Sequence, residues 1–451
     1  MPLTLDIEDL APGGEGVGRG PDGRAVFVPF AAPGDRVEVE AGAPTDAPAG
    51  RGPAAHASLL RVLHPGRDRV PPPCSHFGPQ RPGEQRGCGG CEWLHLDYER
   101  QLRAKERALR EALRRIGRLE EGAYEALPAI PSPSPHRYRS RAKFHLDRAS
   151  GRLAFFRRRS HEAVPLAECH LLEAELDALR EAAGPALAAA RLAPREVTLE
   201  WSRHDGRGAA WLQLPALAPA ARDRAEALLA ALPALAGAVL TAEGAPPLLV
   251  GEPVLRHERR PGDPASGLQR SRPDVFAQAN RGANALLVAE ALRLLRPERA
   301  EVLELFCGAG NFTGPLAARA RGVHAVEVQG PALDLARADV ADGRTSTVGA
   351  AVRFFAGDAL ALARAFARER GPSARRFDAV LLDPPREGAK GLGPALRDLG
   401  SPRAVYVSCD PATFARDVRA CVEAGYRVEA VRPLDMFPQT HHLEAIALLV
   451  P

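Results

Sequence analysis

Val302-Leu303-Glu304-Leu305-Phe306-Cys307-Gly308-Ala309-Gly310-Asn311-Phe312 decides the fold. Its opening residues read as a buried strand, and the glycines that follow permit a tight turn opening a helix. That is how an open, Rossmann-like α/β sheet receives a nucleoside cofactor. Working downstream, the apolar run at residues 322–328 reads as the next strand, and its acid, Glu327, is placed to accept both hydroxyls of a ribose. A further strand, Asp378-Ala379-Val380-Leu381-Leu382, ends in Asp383-Pro384-Pro385-Arg386. This puts a carboxylate and two rigid prolines at the carboxyl edge, where open α/β sheets bind ligands. The strand ends are expected to face one crevice. Two unusual runs follow, Val405-Tyr406-Val407-Ser408-Cys409-Asp410-Pro411 and Asp435-Met436-Phe437-Pro438-Gln439-Thr440-His441-His442-Leu443-Glu444. A thiol nucleophile, Cys409, and a carboxylate base, Glu444, on one scaffold suggest covalent catalysis.

The 451 residues exceed a usual single domain, so two to three domains are expected, each able to bury a core. A formal charge of +4 is mildly basic, which points any nucleic-acid contact to a local patch rather than a global field. Arginine far outnumbers lysine in every segment, a bias that a GC-rich genome explains. Residues 1–10 have neither a basic start nor an apolar core, and charges, Pro or Gly interrupt the Ala/Leu-rich stretches. A soluble, cytoplasmic protein is expected, with no membrane partner. Seven cysteines in such a chain argue for metal binding or catalysis rather than a disulfide framework.

Upstream of the catalytic runs, residues 3–63 alternate short β-type runs with glycine turns, the pattern of a small barrel. Residues 41–52, rich in Pro, Ala and Gly, read as a loop in or beside it. Leu102, Leu109, Leu113 and Ile116 predict an amphipathic helix within residues 97–119. Arg137, Arg139, Arg141 and Lys143 alternate with other residues, so a strand there would place four cations on one face. Arg157, Arg158 and Arg159 beside Phe155 and Phe156 extend a pattern suited to RNA; a solvated sheet face is the bland alternative. Residues 171–251 offer no motif, no internal repeat is seen, and a boundary near Pro273 opens the doubly wound part.

Cys88-Gly89-Gly90-Cys91 is a close thiolate pair, Cys74 precedes it, and Cys169 is the candidate fourth ligand. Spacing alone leaves zinc open, with His76 and His170 as competing ligands. Cys307 and Cys421 read as core thiols.

The run Asp383-Pro384-Pro385-Arg386-Glu387-Gly388, then Ser408-Cys409, then residues 435–444, resemble in order and spacing the signatures of the RNA (uracil-5)-methyltransferases. The cysteine quartet and the barrel further resemble the iron-sulfur members with an N-terminal TRAM domain, typified by bacterial 23S ribosomal RNA enzymes. The resemblance implies a TRAM-like, oligonucleotide-binding-like barrel at 1–65, and at 66–272 a cluster segment with a central α+β RNA-binding domain. A Rossmann-like S-adenosylmethionine-dependent methyltransferase domain would occupy 273–451. It also implies that Gln278, Phe306, Asn311, Glu327, Asp358 and Asp383 hold S-adenosylmethionine, and that Cys74, Cys88, Cys91 and Cys169 hold a [4Fe-4S] cluster.

The chemistry follows from uracil, whose C5 is a poor nucleophile until a thiolate adds at C6. Cys409 would add there, C5 would take the methyl group, and Glu444 would remove the C5 proton. The target uridine must be flipped out or presented in a loop. The substrate implied is 23S ribosomal RNA, with transfer RNA next, and no protein partner. Two other readings are a non-catalytic RNA-binding or assembly factor and a methyltransferase acting on a small molecule or exocyclic amine. The chain departs from the family pattern at Asp410, where asparagine is usual, and in the long stretch at 77–87 between its first two cysteine ligands.

Overall fold

The computed structural model describes residues 2–41, 55–79, 86–342, 351–369, 371 and 374–451. Of the loop expected at 41–52, residues 42–52 lie outside them, as do residues 80–85 of the stretch at 77–87. Alternating apolar residues make β1 (Leu3–Leu10), β2 (Gly16–Arg19), β3 (Ala25–Val28), β4 (Arg36–Ala41) and β5 (Ala55–His64). Leu5, Ile7, Val28, Val37 and Val39 point inward and are buried, and the five strands close into a barrel in the order β1-β2-β3-β5-β4.

Helix α1 (Tyr98–Arg115) starts where the Asp97 carboxylate accepts from the N–H groups of Glu99 and Arg100. Leu109 and Leu113 are buried as its periodicity predicts, but so are Gln101 and Lys105, whereas Ile116 is exposed. Leu109 and Leu113 pack with Phe414 and Val418 of the C-terminal part. The short β6 (Glu125–Ala126) likewise joins the edge of the C-terminal sheet.

The central sheet holds β7 (Arg141–Leu146), β8 (Leu153–Phe156), β9 (Ala163–Pro165), β10 (Glu196–Ser202), β11 (Arg207–Gln213), β12 (Leu235–Thr241) and β13 (Leu248–Gly251). Their order is β13-β12-β11-β10-β7-β8-β9, with α2 (Ala174–Ala189) and α3 (Ala221–Ala231) packed on it. The row of four cations expected at residues 137–143 is not a free face. Arg137 is left-handed at φ 52°, and the strand begins only at Arg141. Arg141 pairs with the fully buried Glu200 at 3.2 Å, because a carboxylate taken out of water needs cationic partners. Lys143 pairs with Glu196 at 2.9 Å, and Arg137 donates to the Cys169 carbonyl at 2.9 Å.

After a hairpin of β14 (Leu255–Glu258) and β15 (Leu268–Ser271) comes the doubly wound part. It comprises α4 (Arg281–Leu295), β16 (Glu301–Leu305), α5 (Thr313–Ala317), β17 (Gly322–Glu327), α6 (Gly330–Ala341), β18 (Ala351–Ala356) and α7 (Ala359–Ala367). Then follow β19 (Ala379–Leu382), α8 (Leu392–Leu399), β20 (Ala404–Ser408), α9 (Pro411–Glu423), β21 (Arg427–Leu434) and β22 (Glu444–Val450). The strand order is β18-β17-β16-β19-β20-β22-β21-β6, with β22 antiparallel between its neighbours. The order reverses between β16 and β19, the switch point at which open α/β sheets bind ligands. Among the described residues no helix is long and apolar enough to cross a membrane.

Candidate active site and cysteine-lined cavity

Strand register places the predicted site residues side by side. Leu305 is paired with Val326 on one side and Leu382 on the other, so Glu327, Phe306 and Asp383 leave three neighbouring strands at one level. Leu382 is paired with Tyr406 and Ser408 with Ala445, which puts Cys409 opposite Glu444 on the next two strands. With strands about 4.8 Å apart, Asp383 lies between the glycine turn and the thiol.

The turn after β16 is tightly built. Phe306 sits at φ 62°, a conformation unusual for a non-glycine residue and one that clusters at functional sites. Gly310 sits at φ 81°, and a Cβ there would stand 3.1 Å from Ala336 Cβ. Glu327 fastens the turn, its carboxylate accepting from the N–H groups of Gly308, Val328 and Gln329 at 2.8–2.9 Å. Oε1 takes two of these bonds and Oε2 one. Three backbone N–H groups thus already engage the carboxylate proposed for the ribose, which fixes its orientation at the end of β17. Asn311 exchanges two hydrogen bonds with Asn284, Asp358 caps α7 through Ala361 N–H, and Gln278 is buried.

Sequence reasoning missed Arg259. Its Nη1 reaches under the turn to the carbonyls of Gly310 and Asn311, both at 3.3 Å. Only its hairpin position, remote in sequence, puts it there.

Electrostatics set the resting protonation of the reacting groups. Burial pushes the Cys409 thiol up to about 12, and the charges of Glu444 and Asp383 add to this, while Arg386 pulls it back. Burial likewise raises Asp383 to about 7. Glu444 is driven well above the usual carboxylate range by burial and then by Asp383, with Arg386 opposing. Its Oε2 is buried with no hydrogen-bond partner among the described residues. Arg386 is thus the cation that acts on both the thiol and the base, and its Nη2 lies 3.1 Å from His442 Nδ1. Cys409 also immediately precedes α9, whose N-terminus favours a thiolate. Asp410 caps that helix through Ala412 and Thr413 N–H, a task asparagine performs equally well.

A second constellation lies between the segment that follows the barrel and the central domain. Cys74, Cys88, Cys91 and Cys169 line one cavity together with Phe155, Leu171 and Arg139. Burial raises all four thiols, Cys88 to about 12; the charge of other cysteines adds to this at Cys74, Cys88 and Cys91, and that of Asp177 at Cys169, so their ionised forms call for a cationic centre. Among the described residues no three Cys, His, Asp or Glu side chains converge as a single-ion site requires. His76 Nε2 accepts Ala167 N–H at 2.9 Å, and His170 Nε2 is 3.0 Å from Glu168. Cys307 and Cys421 are buried elsewhere in the core. Arg139 also lines an adjoining open groove with His145, Phe156, Arg159 and His441. The His145 and Phe156 rings stack there at 3.5 Å.

Comparison with known proteins finds relatives over nearly the whole chain. The family described as tRNA (Uracil-5-)-methyltransferase matches residues 266–450, and the TRAM domain matches residues 3–42. The 23S rRNA (uracil(1939)-C(5))-methyltransferase RlmD of Pseudomonas putida is 35% identical, covering 98% of this chain and 92% of its own. The protein of the same name from Thiobacillus denitrificans is 35% identical, covering 99% of both chains. Among solved structures, the Pyrococcus abyssi tRNA (uracil-54, C5)-methyltransferase in complex with S-adenosyl-L-homocysteine superposes with a TM-score of 0.71 over 99% of each chain, at 23% identity. On these grounds the chain belongs to the family of TRAM-containing RNA (uracil-5)-methyltransferases.

Proposed function

We propose that the protein transfers a methyl group from S-adenosylmethionine to C5 of a uridine in 23S ribosomal RNA, through a covalent bond from Cys409 to C6. The observation that carries this reading is the strand register that sets Cys409 opposite Glu444, one strand from Asp383. Near-full-length likeness to the ribosomal RNA enzymes supports the substrate.

The donor supplies an electrophilic methyl group. We assign its binding to the turn at Phe306 and Asn311, to Glu327 and Asp358, and to Gln278 and Asp383. Addition of the Cys409 thiolate forms the S–C6 bond and moves the C5=C6 electrons onto the C4 carbonyl. C5 of the enolate would displace the methyl group from the sulfonium: the C5–CH3 bond forms as the S–CH3 bond breaks, and its electron pair stays on the sulfur of S-adenosylhomocysteine. Glu444 then takes the C5 proton, the double bond reforms, and the C6–S bond breaks. In the chain alone burial favours the protonated Cys409 thiol and Glu444 carboxyl, and Arg386 opposes it at both. A cationic sulfonium beside Asp383 would act in the same direction.

The same reading gives Cys74, Cys88, Cys91 and Cys169 a [4Fe-4S] cluster. Four thiols lining one cavity, together with the resemblance of the quartet to the iron-sulfur members of the family, support this reading. Arg139 would offset its negative charge. Residues 1–65, 66–272 and 273–451 would act as RNA-gripping barrel, cluster-bearing RNA-binding part and catalytic domain, in the cytoplasm where ribosomal RNA is modified.

The test is S-adenosylmethionine-dependent release of tritium from C5-labelled uridine in unmodified ribosomal and transfer RNA. Release from ribosomal RNA alone, abolished in Cys409→Ala, is expected. Release from transfer RNA alone would move the substrate, and release unchanged in Cys409→Ala would remove the covalent mechanism.

A further inference from the structure

Residues 435–443 connect β21 to β22 and end at Glu444. This loop is held mainly from outside its own domain. Lys105 Nζ donates to Asp435 Oδ1 at 2.5 Å and to the Phe437 carbonyl at 3.0 Å. Gln101 grips Gln439 at both ends: its Nε2 donates to Gln439 Oε1 at 2.9 Å, and its Oε1 accepts Gln439 N–H at 2.9 Å. Glu92 Oε2 accepts from His441 N–H at 3.1 Å and stands 2.5 Å from His441 Nδ1. The N–H groups of Glu92 and Trp93 donate to the Gln439 carbonyl at 2.9 and 3.0 Å. Gln439 itself is held at φ 69°, a strained conformation for a non-glycine residue that these bonds over-determine.

Lys105 and Gln101 are 1% and 0% exposed. A buried ammonium and a buried carboxamide are costly in a helix face that leucine could fill, unless they hold something. What they hold is this loop. Cys409, Asp383 and Glu327 end other strands and do not follow it; Glu444 is the residue at which the loop re-enters the sheet.

We propose that Glu92, Gln101 and Lys105 are positioning residues for proton abstraction, fixing the loop so that Glu444 reaches the C5 proton of the methylated adduct. The inference rests on the assignment of Glu444 as base. Loosening the clamp should slow resolution of the adduct while leaving thiol addition and methyl transfer intact. The covalent protein–RNA species should then accumulate.

The experiment incubates full-length Glu92→Gln, Gln101→Leu and Lys105→Met with S-adenosylmethionine and unmodified ribosomal RNA, following turnover and the adduct that survives a denaturing gel. Glu444→Gln and Cys409→Ala serve as positive and negative controls for the adduct. A fall in kcat of about tenfold or more, an RNA KM within about twofold of wild type, and accumulated adduct are expected, since small misplacements of a reacting group cost this much. Wild-type turnover, slower turnover without adduct, or a loss confined to KM would overturn the proposal. If Lys105→Met does not fold, the other two variants decide. If Glu444→Gln itself gives no adduct, the base assignment falls and the clamp's role with it. If Glu444→Gln traps the adduct and the clamp variants do not, only the clamp's role falls.

Discussion

Asp383 carries the site's pH signature. Its carboxyl is raised by burial from 3.8 to about 7 in the folded chain. A group bound more tightly to its proton in the folded state favours folding below the unfolded value, and that contribution is lost as pH rises through the folded value. Asparagine is neutral throughout, so Asp383→Asn should gain thermal stability relative to wild type as pH is raised from 5 to 8 without cofactor. Paired thermal melts at several pH values check this, and a constant or shrinking difference contradicts it. Glu444, raised by the same burial and by Asp383 itself, adds to the effect in the same direction.

At the scale of elements, the turn from β16 into α5 tolerates little change. Gly310→Ala would force a Cβ into a left-handed backbone and against Ala336. A loss of about 1–3 kcal/mol and weaker S-adenosylmethionine binding are expected, by chemical denaturation and calorimetry. The strands around this turn were legible because continuous apolar runs ending in Gly, Asp or Pro mark buried parallel strands whatever lies around them. Cys409 and Glu444 were legible from rare local runs, and register then explains their meeting. Other features were not legible because their causes lie far away in sequence. Alternation at residues 137–143 reads as a basic strand, but nothing local reveals that Glu200 is buried and draws in Arg141. Likewise α1 looks amphipathic in isolation, and its buried Lys105 is explained only by Asp435. The backbone N–H groups that the Glu327 oxygens accept were likewise not legible, because they come from the turn that β17 meets only in the folded sheet.

For the whole molecule, the cysteine cavity joins the segment that follows the barrel to the central domain. Cys169 belongs to the central domain's core, whereas Cys74, Cys88 and Cys91 lie in the segment after the barrel. Anaerobically purified protein should carry about four iron atoms per chain. Cys169→Ser should lose the iron and lower the melting temperature, while Cys421→Ser should keep it. Stoichiometric zinc in place of iron would contradict the assignment. The barrel is tied on by Glu15, which accepts from Arg158 at 2.9 Å and Arg159 at 2.6 Å, and by Trp93 Nε1 donating to the Gly14 carbonyl.

The clamp on the catalytic loop joins residues 330 and 338 positions apart. Contacts of that span form late, because the entropy of closing so long a loop must be met before they contribute. A nascent or partly folded chain could therefore assemble the glycine turn and the strand carrying Cys409 while its proton-abstracting arm remained unset. The reach of α1 across the chain makes completed folding itself a condition of turnover.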